Sequence, residues 1–164
     1  SSGAGPNDGG GNTGKWIGQK GTFLEGGVRV PAIISYPAKL PSGEVRNQAI
    51  TAMDWFPTVL ELCGVKSPEV KLDGRNLLPL IHDKNTPSPH PALHFQWQNK
   101  WAVREGDWKL VRHKGPRSNA KERFTLHNLA DELPESKNYA LEKPEKVKQL
   151  LEIRLEWERD VFPK

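Results

Sequence analysis

The chain has 164 residues, long enough for one domain with its own core, yet only 35% are hydrophobic while 15 are glycine and 14 are proline. Loops are therefore plentiful and the core is thin for the length. A net charge of +4 with a single cysteine excludes an internal disulfide and a multi-cysteine zinc site. No zinc-finger or aromatic ribonucleoprotein pattern and no apolar run of membrane-spanning length is present, so neither nucleic acid nor a membrane is expected as a partner.

Residues 1–14 are glycine-rich and polar, with Asn7, Asp8 and Asn12 read as turn formers rather than metal ligands. Next comes Gln19-Lys20-Gly21-Thr22-Phe23-Leu24-Glu25-Gly26-Gly27-Val28-Arg29-Val30-Pro31. One lysine sits in a glycine-framed turn, and the glycines permit a positive φ or a close approach of backbone to a ligand. The β-branched run 28–36 is expected as a buried strand ending at Pro37. A lysine at the mouth of such a strand is placed to meet an anion in a crevice of an α/β sheet. Glu25 and Arg29 are expected in a turn-to-strand stretch, as an ion pair that locks the lysine loop.

A helix is expected over 49–63, with Asp54 as cap, Pro57 in the first turn and Gly64 as the stop. Its apolar face is assigned to Val59, Leu60, Leu62 and Cys63, with Cys63 a buried small hydrophobe. Residues 66–91 carry five prolines and read as a connection with one short helix over 76–82. A domain boundary is placed at 90/91, giving parts 1–90 and 91–164. Beyond it, segments 94–97, 101–104, 108–112 and 125–129 are short and bounded by turn residues, which predicts an antiparallel meander of four strands. A closing helix over 143–162 is expected to turn Val147, Leu150, Leu151, Leu155 and Val161 to the sheet, with Glu152, Arg154, Glu156 and Arg159 in water. The fold class is thus α/β: the last strand-helix elements of a large mixed sheet, then a small four-stranded antiparallel sheet with a C-terminal helix.

Five stretches in order resemble the C-terminal portion of the sulfatase family. They are the lysine stretch through Pro31, Met53 to Gly64, Leu72-Asp73-Gly74-Arg75-Asn76-Leu77-Leu78-Pro79-Leu80, Ala102 to Val111, and Phe124 to Glu132. The resemblance implies that 1–90 is the end of the catalytic α/β domain and 91–164 a small C-terminal subdomain. It also implies that Lys20 contacts the sulfate and neutralises charge on the bridging oxygen as the S–O bond breaks, a fixed cation aimed at developing negative charge. His94, beside Phe95 and Trp97, falls where the small sheet of sulfatases returns toward the active-site rim and is a candidate substrate contact. The family's nucleophile, a formylglycine made from Cys or Ser in a Cys/Ser-x-Pro-x-Arg context, has no match here. Cys63 lacks the proline, and Ser35-Tyr36-Pro37-Ala38-Lys39 has Lys for Arg and lies at the aromatic-Pro strand end. The five histidines have no metal spacing. A calcium ion and the formylglycine are therefore implied only for the intact enzyme, which leaves this chain inactive alone, with no cofactor or metal ligand of its own.

The partner implied is a sulfate-ester substrate, a class that includes sulfated glycans. Residues 99–123 hold eight Lys or Arg against three acids, which reads either as a solvated surface or as a rim attracting a sulfated glycan. Trp97 and Trp101 are stacking candidates for a sugar ring or core residues. Two alternatives stay open: a phosphodiesterase or phosphonate hydrolase of the same superfamily, and a non-catalytic module binding sulfated glycan. The family places the intact protein in the periplasm or outside the cell. An unpaired strand over 28–36 would present open edges, so self-association of the chain is expected.

Overall fold

The computed structural model describes residues 12–113 and 124–163. The chain divides into two compact units, one combining Ser1–Val30 with Ala92–Lys164 and the other Pro31–Pro91. Asn7 and Asp8 lie outside the described residues, as do Lys114, Arg117, Lys121 and Arg123 of the basic run. Asn12 makes a turn, its Oδ1 accepting the Gly14 N–H at 2.8 Å.

In the first unit, β1 (Leu93–Trp97), β2 (Lys100–Glu105), β3 (Trp108–Arg112) and β4 (Phe124–Asn128) form a four-stranded sheet in the order β1-β2-β3-β4. Every neighbour is antiparallel, as the spacing of turn residues predicts. The pairs Trp97↔Lys100 and Glu105↔Trp108 close two-residue turns, with φ of 53° at Gln98 and 56° at Gly106. Positive φ lets a two-residue hairpin follow the twist of its strands. Val103, Leu110 and Leu126 lie in register across three strands and share one face because side chains alternate along a strand. They are fully buried with Trp101 against Leu150 of α4 (Pro144–Val161). Pro144 opens that helix, where its missing N–H costs nothing.

The helix face is not the one expected. Arg154 is buried, while Leu155 is 48% and Val161 44% exposed. From Val147, Leu150 and Leu151 the helical repeat lands on Arg154, whose guanidinium lies over Trp101 at 5.3 Å and Trp157 at 4.3 Å. It bonds Glu158 and Gln96. A long cation covering aromatic rings takes the place of a leucine there.

The second unit holds a 3₁₀ turn (Ala52–Asp54), α2 (Trp55–Leu62) and α3 (Leu78–His82). Its hub is Asp54, fully buried, which accepts the N–H groups of Thr51 at 2.7 Å and Arg75 at 2.8 Å and meets His90 Nε2 at 2.7 Å. Thr58 donates its hydroxyl to the Asp54 carbonyl at 2.6 Å and accepts the Leu77 N–H at 2.9 Å. A Cβ on Gly74 would sit 2.1 Å from the Met53 carbonyl oxygen, so the two segments meet only because position 74 has no side chain. Gly64, at φ 66°, ends α2, and the Val65 N–H returns to the Leu60 carbonyl at 2.9 Å, the Schellman pattern.

Two expectations fail in this region. The run 28–36 is not a strand: Glu25–Val28 forms one helical turn, α1, and 29–36 joins no ladder among the described residues. Val30 is 77% and Ile33 92% exposed. β-branched residues favour a strand only where neighbours accept their hydrogen bonds and cover their faces, and neither is provided here. Cys63 is exposed rather than buried. It follows Val59 by four residues, and that stripe of α2 faces outward, Val59 being 48% and Phe56 54% exposed.

Candidate functional site

Lys20 stands at the tip of a turn closed by the Thr22 N–H on the Gln19 carbonyl at 3.0 Å. Gly21 follows it at φ 89°, the third turn position where only glycine sits without strain. The Thr22 hydroxyl donates to the Gln19 carbonyl at 2.9 Å and accepts the Gln19 N–H at 3.2 Å, locking the turn again. Lys20 is exposed and pairs with no acid among the described residues.

Beneath the turn lies α1, packed backbone to backbone. The Gly26 N–H reaches the Ile17 carbonyl at 2.8 Å. A Cβ on Gly26 would stand 2.5 Å from the Gly18 oxygen, and one on Gly27 would stand 2.4 Å from the Thr22 oxygen and 2.5 Å from the Gln19 oxygen. The two adjacent glycines are thus the seat of the lysine turn, and neither tolerates a side chain without moving it.

Glu25 fixes α1 to the sheet. Its carboxylate is buried and accepts from Lys109 Nζ at 2.8 Å, while the Arg104 and Arg29 guanidinium groups lie 3.5 and 3.6 Å from its other oxygen. Arg29 also rests 4.1 Å from the centre of the Trp16 ring. The expected pairing of Glu25 with Arg29 is therefore present as the weaker part of a larger cluster, and it spans a helical turn rather than a turn-to-strand stretch. Lys109, fully buried, also donates to Glu135 Oε1 at 3.1 Å, and Glu135 Oε2 accepts the Glu25 N–H at 2.7 Å. Burial pushes the Glu135 carboxyl above the usual carboxylate range, against the pull of the Lys109 charge.

Sequence reasoning missed Lys109 and Glu135. In Trp108-Lys109-Leu110, alternation puts Lys109 on the face opposite Leu110, the solvent side of a half-buried sheet. Here that face is covered too, with Ala102 and Val111 buried beside Lys109. Glu135 leaves a different sign: it is a non-glycine residue at φ 65°, following Pro134 in a turn closed by the Ser136 N–H on the Leu133 carbonyl.

His94 is half-buried. Its ring stacks on Trp157, centroids 4.8 Å apart and planes 8° from parallel. Burial first, then the Arg154 charge, lowers its pKa to about 4, so the imidazole is neutral at neutral pH. Of the two candidate stacking tryptophans, Trp101 is core, while Trp97 is 54% exposed with Lys100 Nζ 5.5 Å from its ring centre. Among the described residues no three His, Cys, Asp or Glu side chains cluster to hold a metal ion, and no helix is long and apolar enough to cross a membrane.

The chain is similar to known proteins over most of its length. Residues 14–160 match the family described as N-sulphoglucosamine sulphohydrolase, C-terminal. An uncharacterized sulfatase of Schizosaccharomyces pombe is 29% identical over 150 residues, covering 86% of this chain and 27% of that protein. Human steryl-sulfatase is 40% identical over 93 residues, covering 56% of this chain and 16% of its own. Mouse N-acetylgalactosamine-6-sulfatase is 36% identical over 121 residues, covering 73% and 22%. A solved chain from Bacteroides thetaiotaomicron, described with the metabolism of multiple glycosaminoglycans, superposes with a TM-score of 0.67 at 24% identity. The superposition covers 87% of this chain and 32% of that one and supports the fold alone. The chain belongs to the sulfatase C-terminal family, and it spans roughly a quarter or less of the length of these curated relatives.

Proposed function

We propose that this chain is the C-terminal part of a sulfuric-ester hydrolase in which Lys20 contacts the sulfate group. The observation that carries the reading is an exposed, acid-unpaired ammonium on a turn fixed by Gly26, Gly27 and the Glu25 cluster. A backbone turn held by the fold limits the reorganisation needed to bring its lysine to the negative charge that develops on the leaving oxygen. The formylglycine nucleophile and the calcium ion belong to other parts of the intact protein. Formylglycine would supply the nucleophile there, and the residues described here would orient the sulfate and neutralise its charge.

On this reading the chain alone does not turn over substrate, and the intact protein is periplasmic or secreted. The burial of Lys109 and the engagement of Arg104 by Glu25 remove two cations from the supposed polyanion rim, which weighs against a purely glycan-binding module. The stacking of His94 on Trp157 likewise weighs against a direct substrate contact there. The test is a panel on the intact protein: an aryl sulfate, a bis-aryl phosphate and an aryl phosphonate. Preferential turnover of the sulfate supports the proposal. Preference for the phosphorus esters moves it to the phosphodiesterase alternative, and salt-sensitive glycan binding without turnover moves it to the binding module.

A further inference from the structure

Glu135 occupies a turn position where glycine would sit without strain. A left-handed φ of 65° strains a side-chain-bearing residue, whose Cβ crowds the following carbonyl oxygen. Both carboxylate oxygens of this strained residue are engaged, one by the Lys109 ammonium and the other by the N–H of Glu25. The side chains of Glu135, Lys109 and Glu25 are buried together, at most 3% exposed. Buried ion clusters seldom add stability over apolar residues of similar volume. What such a cluster does supply is direction: each bond fixes one donor on one acceptor. Here the fixed element is α1, the four-residue turn whose glycines seat the Gln19–Thr22 turn.

The connection is continuous. Glu135 holds the Glu25 backbone at 2.7 Å and Lys109 holds its carboxylate at 2.8 Å. Gly26 then holds the Ile17 carbonyl at 2.8 Å, and Gly27 packs on the carbonyls of Gln19 and Thr22, between which Lys20 projects. We infer that Glu135 and Lys109 are positioning residues for Lys20, acting through Glu25 from the far side of α1. This rests on the reading of Lys20 as the sulfate contact. Displacing a contact group by about 1 Å costs up to roughly a hundredfold in rate, so losing one of several tethers is expected to cost about tenfold.

The test is a double-mutant cycle in the intact protein, with kcat for an aryl sulfate as the readout. Glu135→Gln keeps the shape and one acceptor oxygen. It is expected to lower kcat about tenfold beside Lys20 but less than about twofold in a Lys20→Ala background, because a positioning residue has nothing left to position. Equal factors in both backgrounds would assign Glu135 to general stability and overturn the inference. If Lys20→Ala leaves kcat unchanged, the reading of Lys20 fails first and separately. Hydrogen exchange over residues 16–27 gives an activity-independent readout. Glu135→Gln, or Lys109→Arg should the first variant fold poorly, is expected to speed exchange there while β2 and β3 stay protected. Unchanged exchange in that segment would also overturn the inference.

Discussion

Replacing Lys109 with methionine is the sharpest perturbation of this structure. The substitution keeps most of the side-chain volume and removes one charge, leaving Glu25 and Glu135 facing each other inside the protein. The three side chains are at most 3% exposed, so solvent screens little of the effect. Breaking a buried pair by removing one partner costs about 3–5 kcal/mol. At about 1.4 kcal/mol per factor of ten, opening of β3 becomes between roughly a hundredfold and several thousandfold more frequent. Hydrogen exchange at β3 in the intact protein, expressed as protection factors, reads this locally without requiring the whole molecule to unfold in one step.

The pH dependence supplies a second arm. Burial already raises the Glu135 pKa, the Glu25 charge raises it further, and the Lys109 charge opposes both. Without Lys109 the Glu135 carboxyl holds its proton more tightly in the folded state than in the unfolded chain, where the ordinary glutamate value is 4.5. Stability therefore falls as pH rises through the raised pKa and returns as pH is lowered. The deficit of Lys109→Met is expected to shrink as pH is lowered toward the ordinary glutamate value of 4.5, and adding Glu25→Gln and Glu135→Gln is expected to recover part of it at neutral pH. A deficit below about 1 kcal/mol, or one that grows on acidification, would refute the assignment of these groups as a mutually dependent buried cluster.

Other outcomes follow from the same geometry. Gly27→Ala places a Cβ 2.4 Å from the Thr22 oxygen and 2.5 Å from the Gln19 oxygen. It is expected to lower kcat of the intact protein about tenfold or more while the circular dichroism of the sheet and helix stays unchanged; full activity would show that the seat is not required. Titration of the His94 ring by NMR is expected to give a midpoint near the value of about 4 set by burial and Arg154. Since the unfolded ring titrates near 6.5, His94 costs stability as pH falls from there toward 4, and an unshifted midpoint would contradict the buried stack. The isolated chain is expected to self-associate on gel filtration through Val30, Ile33, Phe56 and Val59, which lie exposed. A monodisperse, cooperatively melting monomer would refute that.

The parts of this fold legible in the sequence are those whose partners are close along the chain. β1 to β4 were readable because each hairpin carries its own turn residues and its own period of two, and their bounds fall within one or two residues of those expected. Gly64 and Pro144 marked helix ends by local chemistry. The conformation of segment 28–36 is not legible, because a strand is defined by its neighbours and β-branched composition carries no information about whether they are present. The position of α4 is legible but its rotation is not, since charge alone points Arg154 to water while the repeat and the two tryptophans take its stem inward.

The site divides the same way. Lys20, Glu25, Gly26 and Gly27 stand within eight residues and could be read as one loop. Lys109 and Glu135 are 84 and 110 residues from Glu25. Only the covering of the second face of the sheet makes a mid-strand lysine a buried anchor. The one local trace was Pro134-Glu135 at a turn, with glutamate where glycine would be unstrained.

The central claim is that the turn at Gln19–Thr22 presents Lys20 to a sulfate ester. The direct measurement is kcat and KM of the intact protein and its Lys20→Ala variant on one aryl sulfate. Removing a preorganised stabiliser of developing charge is expected to lower kcat about a hundredfold to a thousandfold, with a smaller change in KM. A kcat within about twofold of the unaltered protein would contradict the account, leaving Lys20 as a surface charge on a well-built turn.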